Sequence, residues 1–342
     1  MTKNLQIELS QGAPTSGQRA ALRELSAAAQ AADGAPPFGD QTWVELNKDD
    51  GAEVAVAYAW TLDQDGSRGQ LAGAGVVVQG SAEGGTAEQG ADEDAVPDVL
   101  ELVVHPRHRE QGAATDIVNT LNASALNEPD TARRAWAHGG HPGGPRLAAQ
   151  YGWHPVRELW QMRLENQVEL PGAELPEGVE LRSFRPGADD QAWVRANAEA
   201  FADHPEQGRL TTEDLHARMA EDWFSAEGFL LAEEAGRLLG FHWTKIHTED
   251  GQRLGEVYAV GVVPAAQGRR LGAALTLAGI EHLREQQVEA IILYVDAGNA
   301  AAAGLYTKLG FSVQNTDVQY APNVQPRGSQ TSGVRARRRD QH

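Results

Sequence analysis

Apolar and polar positions fall in blocks along the chain, and the blocks predict alternating strands and helices. The stretch VYAVGVVPAAQGRRLGAAL, from Val257 to Leu275, begins as an apolar run of strand length and breaks at Pro264. After a Gln/Gly/Arg turn it resumes as an apolar helix. Upstream, GADDQAWVRANAEAF has helical spacing, and GFLLAEEAGRLLGFHWTKIH reads as two strands joined at Ala235-Gly236. Downstream, AIILYVDAGN reads as a buried strand that ends in a turn.

The same block order occurs twice. VLELVVHPRHREQGAATDIVNTL from Val99 lies over VYAVGVVPAAQGRRLGAALTLAG from Val257 without a gap, setting Pro106 on Pro264, Arg109 on Gln267 and Ala114 on Gly272. The register continues to Trp136 on Tyr294 and to Gly152-Trp153 on Gly310-Phe311. A match held that long predicts a tandem duplication. It gives an N-terminal unit over residues 1–165, a linker rich in Pro, Gly and Glu over 166–178, and a C-terminal unit over 179–321. Each unit is expected to be mixed α/β, a central mixed β-sheet flanked by helices. Residues 80–97, acidic and glycine-rich, read as a solvated loop, and 322–342, ending GVRARRRDQH, as a disordered tail.

Composition narrows the function. The chain of 342 residues, 41% hydrophobic, holds two modest cores more readily than one large one. A formal charge of −19 excludes broad nucleic-acid binding, so a phosphate ligand has to be held locally. No apolar run reaches the roughly 20 residues that span a bilayer, and MTKNLQIELSQGAP lacks the basic start and apolar centre of a signal peptide. A cytoplasmic monomer without membrane contact is expected. With no cysteine there is no disulfide, thiol nucleophile or thiolate zinc site. His105, His108, His138 and His141 come in pairs but in no sharp ligand pattern, so no metal is expected.

The turn PAAQGRRLG opens a helix, where backbone N–H groups lack intrahelical partners and the helix dipole is positive. Arg269 and Arg270 offer counter-charge. Neither a P-loop nor a G-x-G-x-x-G fingerprint is present. Taken alone, the stretch reads equally as a phosphate cradle or as a surface turn.

The context decides between them, because the pattern resembles the V-x-P-x-x-Q/R-x-x-G-x-G/A motif of the GCN5-related N-acetyltransferase (GNAT) family. The second unit has Val262, Pro264, Gln267, Arg270 where a glycine is usual, and Gly272; the first has Val104, Pro106, Arg109, Gly112 and Ala114. GNAAAAGLYTKLGF is similar to a second family segment through Asn299, Ala302, Tyr306, Gly310 and Phe311. The resemblance implies two tandem GNAT domains and acetyl-CoA as donor. It assigns the donor to Val260, Gly261 and Val262, and to Gln267, Gly268, Arg269, Arg270, Leu271, Gly272 and Ala273 on the helix start. Asn299, Ala300, Ala301, Ala302, Ala303 and Gly304 complete that set. A second nucleotide site is implied at Leu102, Val103, Val104, Arg109, Gly112 and Ala114.

DGAPPFGDQ, FADHPEQG, LLGFHWTKIH, GEVYAVGV and LYVDAGNAAA are similar to segments of a tandem branch of this family that acetylates the cysteinyl amine of a cysteine–glucosamine–inositol conjugate. That likeness implies a small thiol-sugar acceptor held by Asp40, Glu206, Lys245, Glu256 and Tyr294. Asp40 stands where the family has glutamate.

Chemistry supplies roles. An amine attacks a thioester only when neutral, and with an ordinary pKa of about 7.7 to 8 much of it arrives protonated. Glu256 is the candidate base and Tyr306 the candidate acid for the departing thiolate, with backbone N–H groups near Val260 and Val262 polarising the acetyl carbonyl. The competing structural readings are a strand-end glutamate for Glu256, a packing tyrosine beside Leu305 and Leu309 for Tyr306, and a core aromatic for Tyr294. At the positions of Glu256, Tyr294 and Tyr306 the first unit has Asp98, Trp136 and Ala148, and an alanine cannot protonate a leaving group. One active site is therefore expected, in the second unit, with Asp40 reaching in from the first. The alternatives are a tandem acetyltransferase acting on another amine, such as an aminoglycoside or a peptide N-terminus, and a non-catalytic acetyl-CoA sensor.

Overall fold

The computed structural model describes residues 5–48, 54–80, 97–124, 133–202, 207–249 and 251–323. The acidic stretch 81–96 and the chain beyond residue 323 lie outside them, as does Glu206. The described residues form two compact units, one drawn from 1–137, 141–156 and 319–323, the other from 138–140 and 157–318.

In the first unit β1 (Leu5–Gln11), β2 (Val54–Leu62), β3 (Arg68–Val78) and β4 (Asp98–Val104) pair antiparallel in sequence order, and β5 (Arg133–Ala137) joins β4 in parallel. The intervening helices are α1 (Ser16–Asp33), α2 (Asp40–Asn47) and α3 (Ala113–Ala123), with α4 (Gly143–Gln150) following β5. β2 is apolar from Val54 to Trp60 because both its faces are covered there. Val54, Val56, Tyr58 and Trp60 pack with Leu22, Leu25 and Ala29 of α1, while Ala55, Ala57 and Ala59 share the other core with Ile117 and Leu121 of α3. The small side chains fall on the side that α3 approaches. On β3 even an alanine is excluded there, since a Cβ on Gly75 would lie 2.6 Å from Ile117.

The second unit repeats the order. β7 (Glu180–Ser183), β8 (Phe229–Glu234), β9 (Arg237–Glu249) and β10 (Gln252–Val262) pair antiparallel, and β11 (Ala290–Asp296) joins β10 in parallel. α5 (Asp190–Ala200) and α6 (Thr212–Met219) precede β8, α7 (Leu271–Glu285) links β10 to β11, and α8 (Ala300–Lys308) leads to β12 (Ser312–Pro322). The helix over GADDQAWVRANAEAF and the hairpin at Ala235-Gly236 form as the sequence predicts. Ala235 and Gly236 both take positive φ, at 51° and 76°, the pattern of a tight two-residue hairpin turn. The far side of β11 is covered by β6 (Trp153–Glu165), whose residues from Leu159 to Glu165 pair antiparallel with Asp296 to Ala290.

α7 sits unusually close to β9. A Cβ on Gly279 would lie 2.0 Å from the His242 ring, and the Nδ1 of that histidine is 2.7 Å from the Leu275 carbonyl. His242 is fully buried, and desolvation pushes its pKa down to about 4. Among the described residues no helix is long and apolar enough to cross a membrane.

Candidate active site

Two departures from regular pairing build the site in the second unit. Parallel pairing of β10 with β11 stops at Val257–Leu293, although β10 runs on to Val262 and β11 to Asp296. The strands therefore part, and the edge of β10 that faces β11 loses its ladder from Tyr258 onward. The second departure is a shift in register between β10 and β9 from Val257 to Ala259, which leaves Tyr258 as a bulge. Bulges increase twist and re-aim side chains.

Strand alternation then brings together two of the predicted acceptor residues, Lys245 and Glu256. Gly255 faces α7, where its Cβ would meet Leu283, so Glu256 projects from the opposite face. Lys245 is directly across from Glu256 on β9, and its Nζ lies 3.9 Å from the Glu256 Oε2. His247, two residues along the same face, places Nδ1 3.6 Å from that oxygen. The Lys245 ammonium also stands 5.3 Å from the Trp223 ring centroid and 5.7 Å from that of Tyr258. Arg218 of α6 donates to the Tyr258 hydroxyl at 3.1 Å, and burial raises that phenol's pKa. Glu256 is thus a buried carboxylate facing the Lys245 ammonium, inside β10 and not at its start.

Tyr294 is 42% exposed and accepts a hydrogen bond from the Gln161 amide at 2.8 Å. The core-aromatic reading of this residue fails, since Leu293 and Val295 take the buried side. Tyr306 packs there with them, edge-on to Phe311 at 5.8 Å between ring centroids, and burial pushes its pKa up to about 12. It therefore carries its proton throughout the neutral range. Tyr306 and Glu256 belong to opposite faces of the sheet.

The loop after β10 leads to an uncapped helix. α1 and α6 open with capping boxes at Thr15 and Thr211, and the Asn299 side chain caps α8 by accepting from Ala302. No side chain caps α7, whose first bonded N–H is that of Ala274, to the Arg270 carbonyl at 3.2 Å. Leu271, Gly272 and Ala273 therefore offer N–H groups outward. Arg269 is held by Glu234 at 2.6 and 3.1 Å, and hydrogen bonding to that carboxylate raises its pKa. Arg270, at the N-cap, is exposed and takes φ 63° and ψ 12°, a left-handed conformation natural to glycine.

The first unit has the same loop with its glycines exchanged. Left-handed residues occur at Glu110 (φ 60°) and Gly112 (φ 84°), which align with Gly268 (φ 78°) and Arg270 (φ 63°). Each loop thus holds one strained side chain, an acid in the first and a base in the second. α3 also starts uncapped, at Gly112. Arg109 is occupied, bonding Asp33 twice at 2.7 Å and the Val104 carbonyl at 3.1 Å. β3 and β4 pair without a bulge, and β4 and β5 stay paired to Glu101–Trp136, so only Leu102 to Val104 and Ala137 run beyond. Asp98, aligned with Glu256, is buried and accepts from the Gly80 N–H at 3.1 Å. Asp40 is the exposed first residue of α2.

His247, Tyr258, Arg218 and Trp223 join the site with no motif to mark them. Spacing alone signals His247, two residues after Lys245 on one strand; the other three meet the site only through tertiary packing. No group of three or more His, Asp or Glu side chains among the described residues could hold a metal ion.

The profile of the acetyltransferase (GNAT) family matches residues 193–311. A protein of Paenarthrobacter aurescens (strain TC1) named mycothiol acetyltransferase is 49% identical over 311 residues, 88% of this chain and 91% of its own. One of the same name from Thermobispora bispora is 44% identical over 310 residues, 90% of this chain and 96% of its own. Among solved structures, a GCN5-related N-acetyltransferase from Sphaerobacter thermophilus superposes with a TM-score of 0.66 at 25% identity, covering 95% of this chain and 98% of its own. A tandem GNAT protein from the clavulanic acid biosynthesis pathway shares the fold at a TM-score of 0.64 and 16% identity, over 92% and 98%.

Proposed function

The chain belongs to the mycothiol acetyltransferases of the GNAT family, and from that premise we propose that it moves the acetyl group of acetyl-CoA to the cysteinyl amine of a cysteine–glucosamine–inositol conjugate (desacetylmycothiol). The buried Glu256 carboxylate, beside Lys245 and His247 where β10 leaves β11, is the observation that carries this reading.

Acetyl-CoA lies in the opening between the strands, with its pyrophosphate on the N–H groups of Leu271 to Ala273 and on the loop from Gln267 to Arg270. Asn299 to Gly304 line its other side. Backbone N–H groups on the freed edge of β10, near Val260 and Val262, polarise the thioester carbonyl. Glu256 takes the ammonium proton of the acceptor directly or through one water, and the neutral nitrogen attacks the carbonyl carbon. The tetrahedral intermediate collapses, the C–S bond breaks, and Tyr306 delivers its proton to the thiolate. Lys245 and Tyr294 contact the acceptor from the Glu256 face, and the family pattern adds Asp40 and Glu206. The first unit takes no part in the chemistry; a nucleotide bound at Leu102 to Val104 and Arg109 to Ala114 would rest on backbone N–H groups, because the Arg109 side chain is tied to Asp33.

Mass spectrometry of the reaction with acetyl-CoA and the conjugate tests the proposal. One acetyl gained on nitrogen with the wild type, and a rate about 10² to 10⁴ lower with Glu256→Gln, are expected. Turnover restricted to other amines overturns the assigned acceptor, and acetyl-CoA binding without turnover on any amine makes the protein a sensor.

A further inference from the structure

A base enclosed as tightly as Glu256 has to be relieved of its proton in every cycle. Its side chain is 9% exposed, and its neighbours decide where the proton goes. Lys245, across the ladder, is an ammonium without a lone pair and cannot accept one. Tyr258 presents a buried phenol whose oxygen is engaged by Arg218. Ile292, across on β11, is apolar. Among these described neighbours His247 remains, on β9 opposite Leu254 and diagonal to Glu256, a spacing within reach of long side chains on one face of a sheet. Its Nδ1 is 3.6 Å from the Glu256 Oε2, and at 25% exposure it stands closer to bulk water than the carboxylate does.

We propose that His247 is the proton relay that resets Glu256. The inference rests on the reading of Glu256 as the base. The acceptor's N–H bond breaks as the Glu256 O–H bond forms; that O–H bond then breaks as the proton moves to Nδ1 of His247, directly or over one water. The imidazolium gives its Nε2 proton to solvent, and exchange with water restores the starting tautomer. Lys245 favours the forward direction, because a positive neighbour stabilises the ionised carboxylate that the transfer regenerates. The Trp223 and Tyr258 rings, packed side by side, hold that ammonium in place.

The test is steady-state kinetics in dilute, imidazole-free buffer at neutral pH with wild type, Glu256→Gln, His247→Ala and His247→Gln. Both His247 variants should lose about tenfold in kcat with KM for the conjugate within about twofold. Added imidazole should restore His247→Ala in proportion to its concentration. Should the alanine variant fold poorly by circular dichroism, the larger glutamine keeps the site filled, and its kcat loss with an unchanged KM carries the test. Wild-type kcat in the His247 variants, or a loss that imidazole leaves unchanged and that comes with a raised KM, overturns the relay. An active Glu256→Gln overturns the base itself; an inactive Glu256→Gln beside fully active His247 variants removes only the relay.

Discussion

At the residue scale, the charged side chain at the head of α7 sets two effects against each other. Arg270 holds a left-handed conformation that costs a non-glycine residue about 1 kcal/mol, in a loop whose other left-handed position, 268, is already glycine. Its guanidinium, exposed beside three outward N–H groups, is also the mobile cation of the loop, since Arg269 is tied to Glu234. Arg270→Gly should therefore stabilise the protein by about 1 kcal/mol in chemical denaturation. The same change should weaken acetyl-CoA binding by roughly threefold to tenfold in calorimetry, through loss of a charge-assisted contact. Tighter binding in the glycine variant would mean that the side chain obstructs the phosphates. The motif revealed the departure from glycine, but the sign of φ came from the loop's folded path.

At the scale of elements, the seating of α7 on β9 governs the geometry of the loop that precedes it. The helix comes close because Gly279 has no side chain, and the His242 bond to the Leu275 carbonyl fixes its height. Gly279→Ala would drive a methyl into the imidazole ring within a packed core, so either the ring or the helix must move. A loss of about 3 kcal/mol in stability, read as a lowered midpoint in urea, is expected. Acetyl-CoA affinity should fall with it, because the N-terminus of α7 shifts with the helix. The helix itself was legible from apolar spacing between Leu271 and Leu283. Its distance from β9 was not, because a glycine in a helical pattern signals a weak position and leaves its contacts unspecified.

For the whole molecule, the buried histidine makes stability depend on pH. His242 has a folded-state pKa of about 4 against an ordinary value of 6.5, so the unfolded chain binds its proton first. Above pH 6.5 this group contributes no pH dependence; as the pH falls from 6.5 toward 4 stability declines, by roughly 2 kcal/mol at pH 5. Denaturant unfolding at pH 7, 6 and 5 should show that slope, and His242→Gln should flatten it over this range even if the variant is less stable throughout. A wild-type curve as flat as that of the variant would show that His242 is not responsible. Overall, both duplicated units keep an uncapped helix after the central strand, but only the second adds the bulge at Tyr258, the deeper parting of strands and a tyrosine at position 306.

The chain's own order of residues determined the duplication, the mixed α/β succession of elements and the two motif segments, because each depends on neighbours close in sequence. Strand periodicity put Lys245 and Glu256 on a common face only together with their pairing. What the tertiary structure decided was everything that required a partner from elsewhere: β6 against β11, the register slip that frees Tyr258, the parting at Val257–Leu293, and His247 beside Glu256. Pairing register is a property of two strands, and no single strand encodes how far a ladder continues. The asymmetry of the two loops needed both levels: aligned letters showed Glu110 against Gly268 and Gly112 against Arg270, and only the backbone torsions showed that all four are left-handed.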